Sequence, residues 1–136
     1  MIVLSNSAAQ TIAAGQSVIF DTVVVKTGCA EHHRGNSSSV QLCSNKGVYD
    51  LAFSGNITNA TATDAVQLTI ASGGDPLQET RMISTPAAAN NYNNVASETI
   101  VRNSCCAADN RITVVNTGTA TLTLAPNCAL VIKRLG

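Results

Sequence analysis

Cys29, His32 and His33 are the densest group of metal-competent side chains in the sequence, a Cys-x-x-His-His run within Gly28–Ser39. Thiolate and imidazole ligands at that spacing suit zinc or copper, and Cys105 or Cys106 would complete the site. The competing assignment is a disulfide from the Cys29 loop to the Cys105–Cys106 loop, one of the adjacent pair bridging while its neighbour points elsewhere. Free buried thiols are the third assignment, and all three stand open on the sequence. With five cysteines at least one thiol in a subunit is unpaired. No Cys-x-x-Cys pair is present, so neither a zinc ribbon nor a thioredoxin-type redox site is written here. Cys43 and Cys128 fall in predicted strand regions and read as small core hydrophobes.

Other chemistries find less support. His32 or His33 beside a Ser or Cys is a nucleophile–base pair in name only, because orienting acids are few and no Gly-x-Ser-x-Gly elbow exists. Asp21, Glu31, Asp50, Asp64, Asp75, Glu79, Glu98 and Asp109 are isolated from one another. They write neither a calcium loop nor a glycosidase dyad, and Asp75-Pro76 and Asp109-Asn110 read as turn formers. No enzyme activity and no cofactor are expected. Three glycosylation-type sequons, at Asn36, Asn56 and Asn59, are what chance supplies in a chain so rich in Asn, Ser and Thr.

The elements that position these residues are strands. Gly47–Ile57 alternates Tyr49, Leu51, Phe53 and Ile57 with Val48, Asp50, Ala52, Ser54 and Asn56, one apolar face against one mildly polar face. Val66–Ile70 and Ala120–Leu124 repeat the pattern. Further strands are expected near Ile2–Leu4, Gln10–Ile12, Ser17–Val25, Val40–Cys43, Thr80–Ser84, Glu98–Val101, Arg111–Val115 and Ala129–Lys133. Turn residues at Ala14–Gln16, Asn45–Gly47, Gly73–Pro76 and Asn116–Gly118 separate them, the last two as hairpins. Pro86–Asn91 is the one helix candidate, and its asparagines make it a loop or a single turn. Roughly ten short strands with regular turns specify an all-β antiparallel sandwich or jelly roll in a single domain of 136 residues.

Composition narrows the function. Aromatics are 3% and charged residues 12%, so the surface is polar but weakly charged, and net charge is zero. Such a surface gives little electrostatic protection against self-association. The eight Lys and Arg are scattered, which argues against nucleic acid. No apolar run approaches the ~20 residues that span a bilayer, and Met1–Asn6 lacks the basic start of a signal peptide, so synthesis in a cytoplasm is expected. Val23–Val25 and Ala129–Ile132 are apolar on both faces. One face serves the subunit core, and the other needs a second copy to cover it.

Four landmarks carry a resemblance. Ala14-Gly-Gln-Ser-Val-Ile-Phe20 opens the first long strand, Gly28-Cys29 closes it, Gly47-Val-Tyr49 starts the central strand, and Cys105-Cys106 precedes the penultimate hairpin. Together they resemble the C1q/tumour-necrosis-factor-like jelly rolls of phages and prophages of gut Firmicutes, relatives of the domains that cap bacterial collagen-like proteins. The resemblance implies a homotrimer with the flat inner sheet of each subunit around a threefold axis. It also implies a virion structural role, decorating the head or forming the knob of a head fibre, with the major capsid protein or another virion component as partner. Met1–Gln10 or one end of the trimer would be the anchor. A calcium ion sits at the trimer apex in some relatives, but no residue here marks its ligands. The rival reading is an adhesin whose end loops, Gly28–Ser39 and Pro86–Asn94 with Asn91, Tyr92 and Asn93, contact a host surface or mucin glycan. The scarcity of Trp and Tyr counts against it, since sugars stack on aromatic rings.

Overall fold

The computed structural model describes residues 1–43, 47–103 and 110–136. Its strands are β1 (Ile2–Ser5), β2 (Gln10–Ile12), β3 (Thr22–Lys26), β4 (Glu31–His33), β5 (Val40–Leu42), β6 (Val48–Thr58), β7 (Val66–Ser72), β8 (Asp75–Pro76), β9 (Met82–Ser84), β10 (Asn93–Arg102), β11 (Arg111–Asn116), β12 (Leu122–Leu124) and β13 (Ala129–Arg134). The only helical turn among the described residues is a 3-10 turn at Gln78–Thr80. All pairings are antiparallel. The front sheet runs β2-β12-β6-β13-β1-β3 with β10 on the other edge of β6, and the back sheet runs β4-β5-β11-β7-β8 with β9 also on β7. The expected all-β sandwich is therefore the one observed.

Strand β6 organises the front sheet. Its 11 residues are long enough to pair β13 and then β12 end to end along one edge, while β10 covers the other edge from Arg102↔Val48 to Asn93↔Ile57. Alternation sends Tyr49, Leu51, Phe53 and Ile57 into the core, each at most 2% exposed, as their spacing dictates. They meet Leu68, Ile70, Ile112 and Val114 from the back sheet in one continuous cluster with Ile2, Leu4, Leu130 and Ile132. Gly55 sits on the same inward face, where a side chain would be crowded. A Cβ there would lie 3.0 Å from Leu124 Cδ1 and 3.2 Å from Cys128 Cβ.

Several local readings are corrected. Ser17–Val25 is not one strand. Ser17 bridges Val115 in the back sheet, the Gln10 side-chain amide engages both the N–H and the carbonyl of Ile19, and only from Thr22 does the chain pair with β1 in the front sheet. The segment thus changes sheets at Asp21, whose carboxylate accepts from the Ser7 amide and hydroxyl and from Thr22. Those bonds, the Ser7 hydroxyl first, hold the Asp21 carboxyl below its ordinary range. Gly73 and Gly74, both with positive φ, close the expected β7–β8 hairpin. Asn116–Gly118 makes no hairpin, because it carries the chain from the back sheet to the front. The Asn116 side chain is buried there and donates to the Ile12 and Ala120 carbonyls, both at 2.9 Å, while accepting from the Gly118 amide. Residues 2–5 form the expected strand as an inner one, with Ile2 and Leu4 fully buried.

Candidate functional site

The candidate metal ligands Cys29, His32 and His33 do not converge among the described residues. Glu31–His33 is a strand where a loop was expected, so its neighbours face opposite ways: His32 is exposed and His33 turns inward. The His33 ring stands edge-on to Phe20, with Nδ1 2.9 Å from the Ser39 carbonyl and Nε2 3.0 Å from the Phe20 carbonyl. Both nitrogens are engaged, and none is left for a metal. No group of three metal-ligating side chains occurs among the described residues.

Cys29, Cys43 and Cys128 are free thiols, while Cys105 and Cys106, the expected disulfide partners of Cys29, lie outside the described residues. Cys43 is exposed rather than in the core, because it follows buried Leu42 and alternation turns it to the outer side. Cys128 is buried just before β13, and burial pushes its thiol up to about 11.

The expected contact residues Asn91, Tyr92 and Asn93 are all exposed, Tyr92 at 48%. The Asn91 carbonyl accepts from Thr58 Oγ1, and Asn93 opens β10 with its amide donating to Ser84 Oγ. The strand starts five residues earlier than its apolar pattern suggests, since β6 supplies a partner along its whole length.

What the fold presents instead is the outer face of the front sheet. Register aligns Val25, Val3, Val131 and Ala52 in one row across β3, β1, β13 and β6, ending at Glu98 on β10. Ala129, Ser54 and Ala96 form a parallel row, and Lys133, Asp50 and Ile100 another. Between the first two rows lies a shallow, mostly apolar concavity of about 330 Å³ over Ala52, Ser54, Ala96, Ala129 and Val131. Strand β3 at the sheet edge leaves all three valines open, Val23 at 47%, Val24 at 59% and Val25 at 37%. Neither face of β3 serves the subunit core, contrary to the expectation for that run. In β13 the expected split holds, with Leu130 and Ile132 buried and Ala129 and Val131 half-buried on the outer face. Ile100 adds a large apolar side chain on edge strand β10, 61% exposed. An apolar strip flanked by apolar edge strands is unusual on a lone chain and is the feature most in need of a partner.

No protein-family model matches the sequence, and neither does any curated protein. Solved structures do match. Eiger TNF from S. frugiperda is similar with a TM-score of 0.68 at 12% identity, covering 99% of this chain and 92% of that one. Murine APRIL is similar with a TM-score of 0.64 at 21% identity, covering 98% of both. The PRD1 vertex protein P5 is similar with a TM-score of 0.53 at 16% identity, covering 98% of this chain and 94% of that one. At these identities the likeness establishes the fold, a tumour-necrosis-factor-like jelly roll.

Proposed function

We propose that the protein is a non-enzymatic structural component of a bacteriophage virion, a homotrimer that decorates the head or forms the knob of a head fibre. The observation that carries the reading is the open front face, where Val3, Val25, Ala52 and Val131 make a flat apolar row on paired strands. Burial of apolar surface is worth roughly 25 cal/mol per Å², so three copies covering these faces around one axis gain what a lone chain leaves unused. Closed point symmetry also protects the edges β3 and β10 without open-ended growth. The likeness to a phage vertex protein supports a place on the virion, and the major capsid protein or another virion component is the partner proposed.

Light scattering tests the assembly: the expected mass is three times the 14.0 kDa of the chain. Electron microscopy of particles from a phage carrying the gene, with and without a deletion, tests the location. Density lost from the head supports decoration, and density lost from the tail supports the adhesin reading instead. A single-chain mass at micromolar concentration overturns the trimer.

A further inference from the structure

The β4–β5 hairpin closes one edge of the back sheet, its turn at residues 34–39 and its open end at the chain segments that enter β4 and leave β5. Two thiols stand at that open end. Cys29 comes just before β4 and Cys43 directly after β5, and both are free and exposed.

The backbone brings the two together. The register that pairs Glu31 with Leu42 continues one step outward, where the Cys43 amide donates to the Ala30 carbonyl at 2.8 Å. That carbonyl also accepts from the buried Tyr49 hydroxyl at 3.0 Å, which ties the hairpin mouth to the central strand β6. Gly28, at φ 71°, bends the chain immediately before Cys29. Cys29 and Cys43 line the same concavity, about 430 Å³ and open to a small reagent. Cys29 is one residue from the bonded partner of Cys43, a placement about 6 Å apart in a regular ladder and inside the span of a disulfide.

We infer that Cys29 and Cys43 are a redox pair that closes a disulfide across the mouth of the hairpin. The reaction is exchange with a low-molecular-weight disulfide. One protein thiolate attacks that disulfide, forms a mixed disulfide and expels the first small thiolate. The second protein thiolate then attacks the protein sulfur of the mixed bond and expels the other. Two protein thiols are oxidised, one external disulfide is reduced to two thiols, and the protons of the protein thiols pass to them. Cytoplasmic reductants keep such a pair open, and an oxidising exterior closes it. The pair lies within one subunit, so the inference does not depend on the trimer.

The test is oxidation of the folded full chain with oxidised glutathione, then alkylation of the remaining thiols and tryptic peptide mapping without reduction. Trypsin cuts after Lys26, Arg34 and Lys46, so Cys29 and Cys43 fall in separate peptides, 27–34 and 35–46. The expected product is these two peptides joined, about tenfold above any other pairing, because thiols held side by side outrun distant ones. Cys43→Ser should leave glutathione on Cys29, and Cys29→Ser should leave it on Cys43. The unsubstituted chain decides the pairing whether or not these variants fold. A cross-link from Cys29 to Cys105 or Cys106, glutathione on both cysteines without a cross-link, or no reaction at either overturns the proposal.

Discussion

Lys133 and Asp50 face each other across β13 and β6 on the open front sheet, with Nζ 3.8 Å from Oδ2. The other Asp50 oxygen, Oδ1, is buried without a partner among the described residues. A carboxylate oxygen without a donor at the margin of an apolar strip is costly in a lone chain. A neighbouring copy that covers the strip can bring that donor, which ties this polar detail to the proposed assembly.

The strip should therefore be sensitive to charge. Val131→Asp places a carboxylate in the centre of the row between Val3 and Ala52. The side chain is half-exposed in one subunit, so the fold should survive with a loss of about 1 kcal/mol from strand propensity. The proposed trimer should not form, and light scattering should read the 14.0 kDa of a single chain. A variant that keeps the trimer mass places the interface elsewhere.

Gly55 tests the packing beneath the strip. Its added Cβ in Gly55→Ala would meet Leu124 Cδ1, which can move, and Cys128 Cβ, which is fixed to the backbone. Overpacking of this kind costs about 1–3 kcal/mol, readable as a lower urea midpoint with an unchanged slope.

Asn116 tests the crossing between sheets. In Asn116→Ala the buried Ile12 carbonyl and the half-buried Ala120 carbonyl lose their donor, and the half-buried Gly118 amide its acceptor. Unsatisfied buried groups cost about 1–3 kcal/mol each, so the total should exceed that of Gly55→Ala in the same denaturation assay.

Cys128 makes the pH prediction. Its thiol is raised in the folded chain from 9.0 to about 11, so the fold retains a proton there that the unfolded chain gives up first. The stabilisation is fully present below pH 9 and is lost as pH rises through about 11. Cys128→Ala should flatten the alkaline side of the stability profile. Alkylation at mildly alkaline pH, read peptide by peptide, should label the exposed Cys29 and Cys43 well before Cys128.

The strands with a buried face were legible because alternation is local. Tyr49 to Ile57 declares its inward set from spacing alone, and so do Leu130 and Ile132, whatever they pair with. The Gly73–Gly74 reversal was equally plain, since positive φ at two adjacent residues is a demand that glycine meets without strain. Residues 29–33 were misread for the same reason in reverse. Glu31, His32 and His33 have no apolar alternation, and their strand exists because β5 offers a partner.

Composition and spacing thus decided the layered all-β architecture, the inward residues of its long strands and the shortage of charge that favours association. Tertiary structure decided which apolar residues stay outside, because that depends on register with distant strands. Val3, Val131 and Ala52 are far apart in the chain and become one row only through backbone pairing. The same pairing set His32 on the outer face and His33 inward, and aligned His32, Gln41 and Arg111, up to 79 positions apart in the chain, in one row across the back sheet.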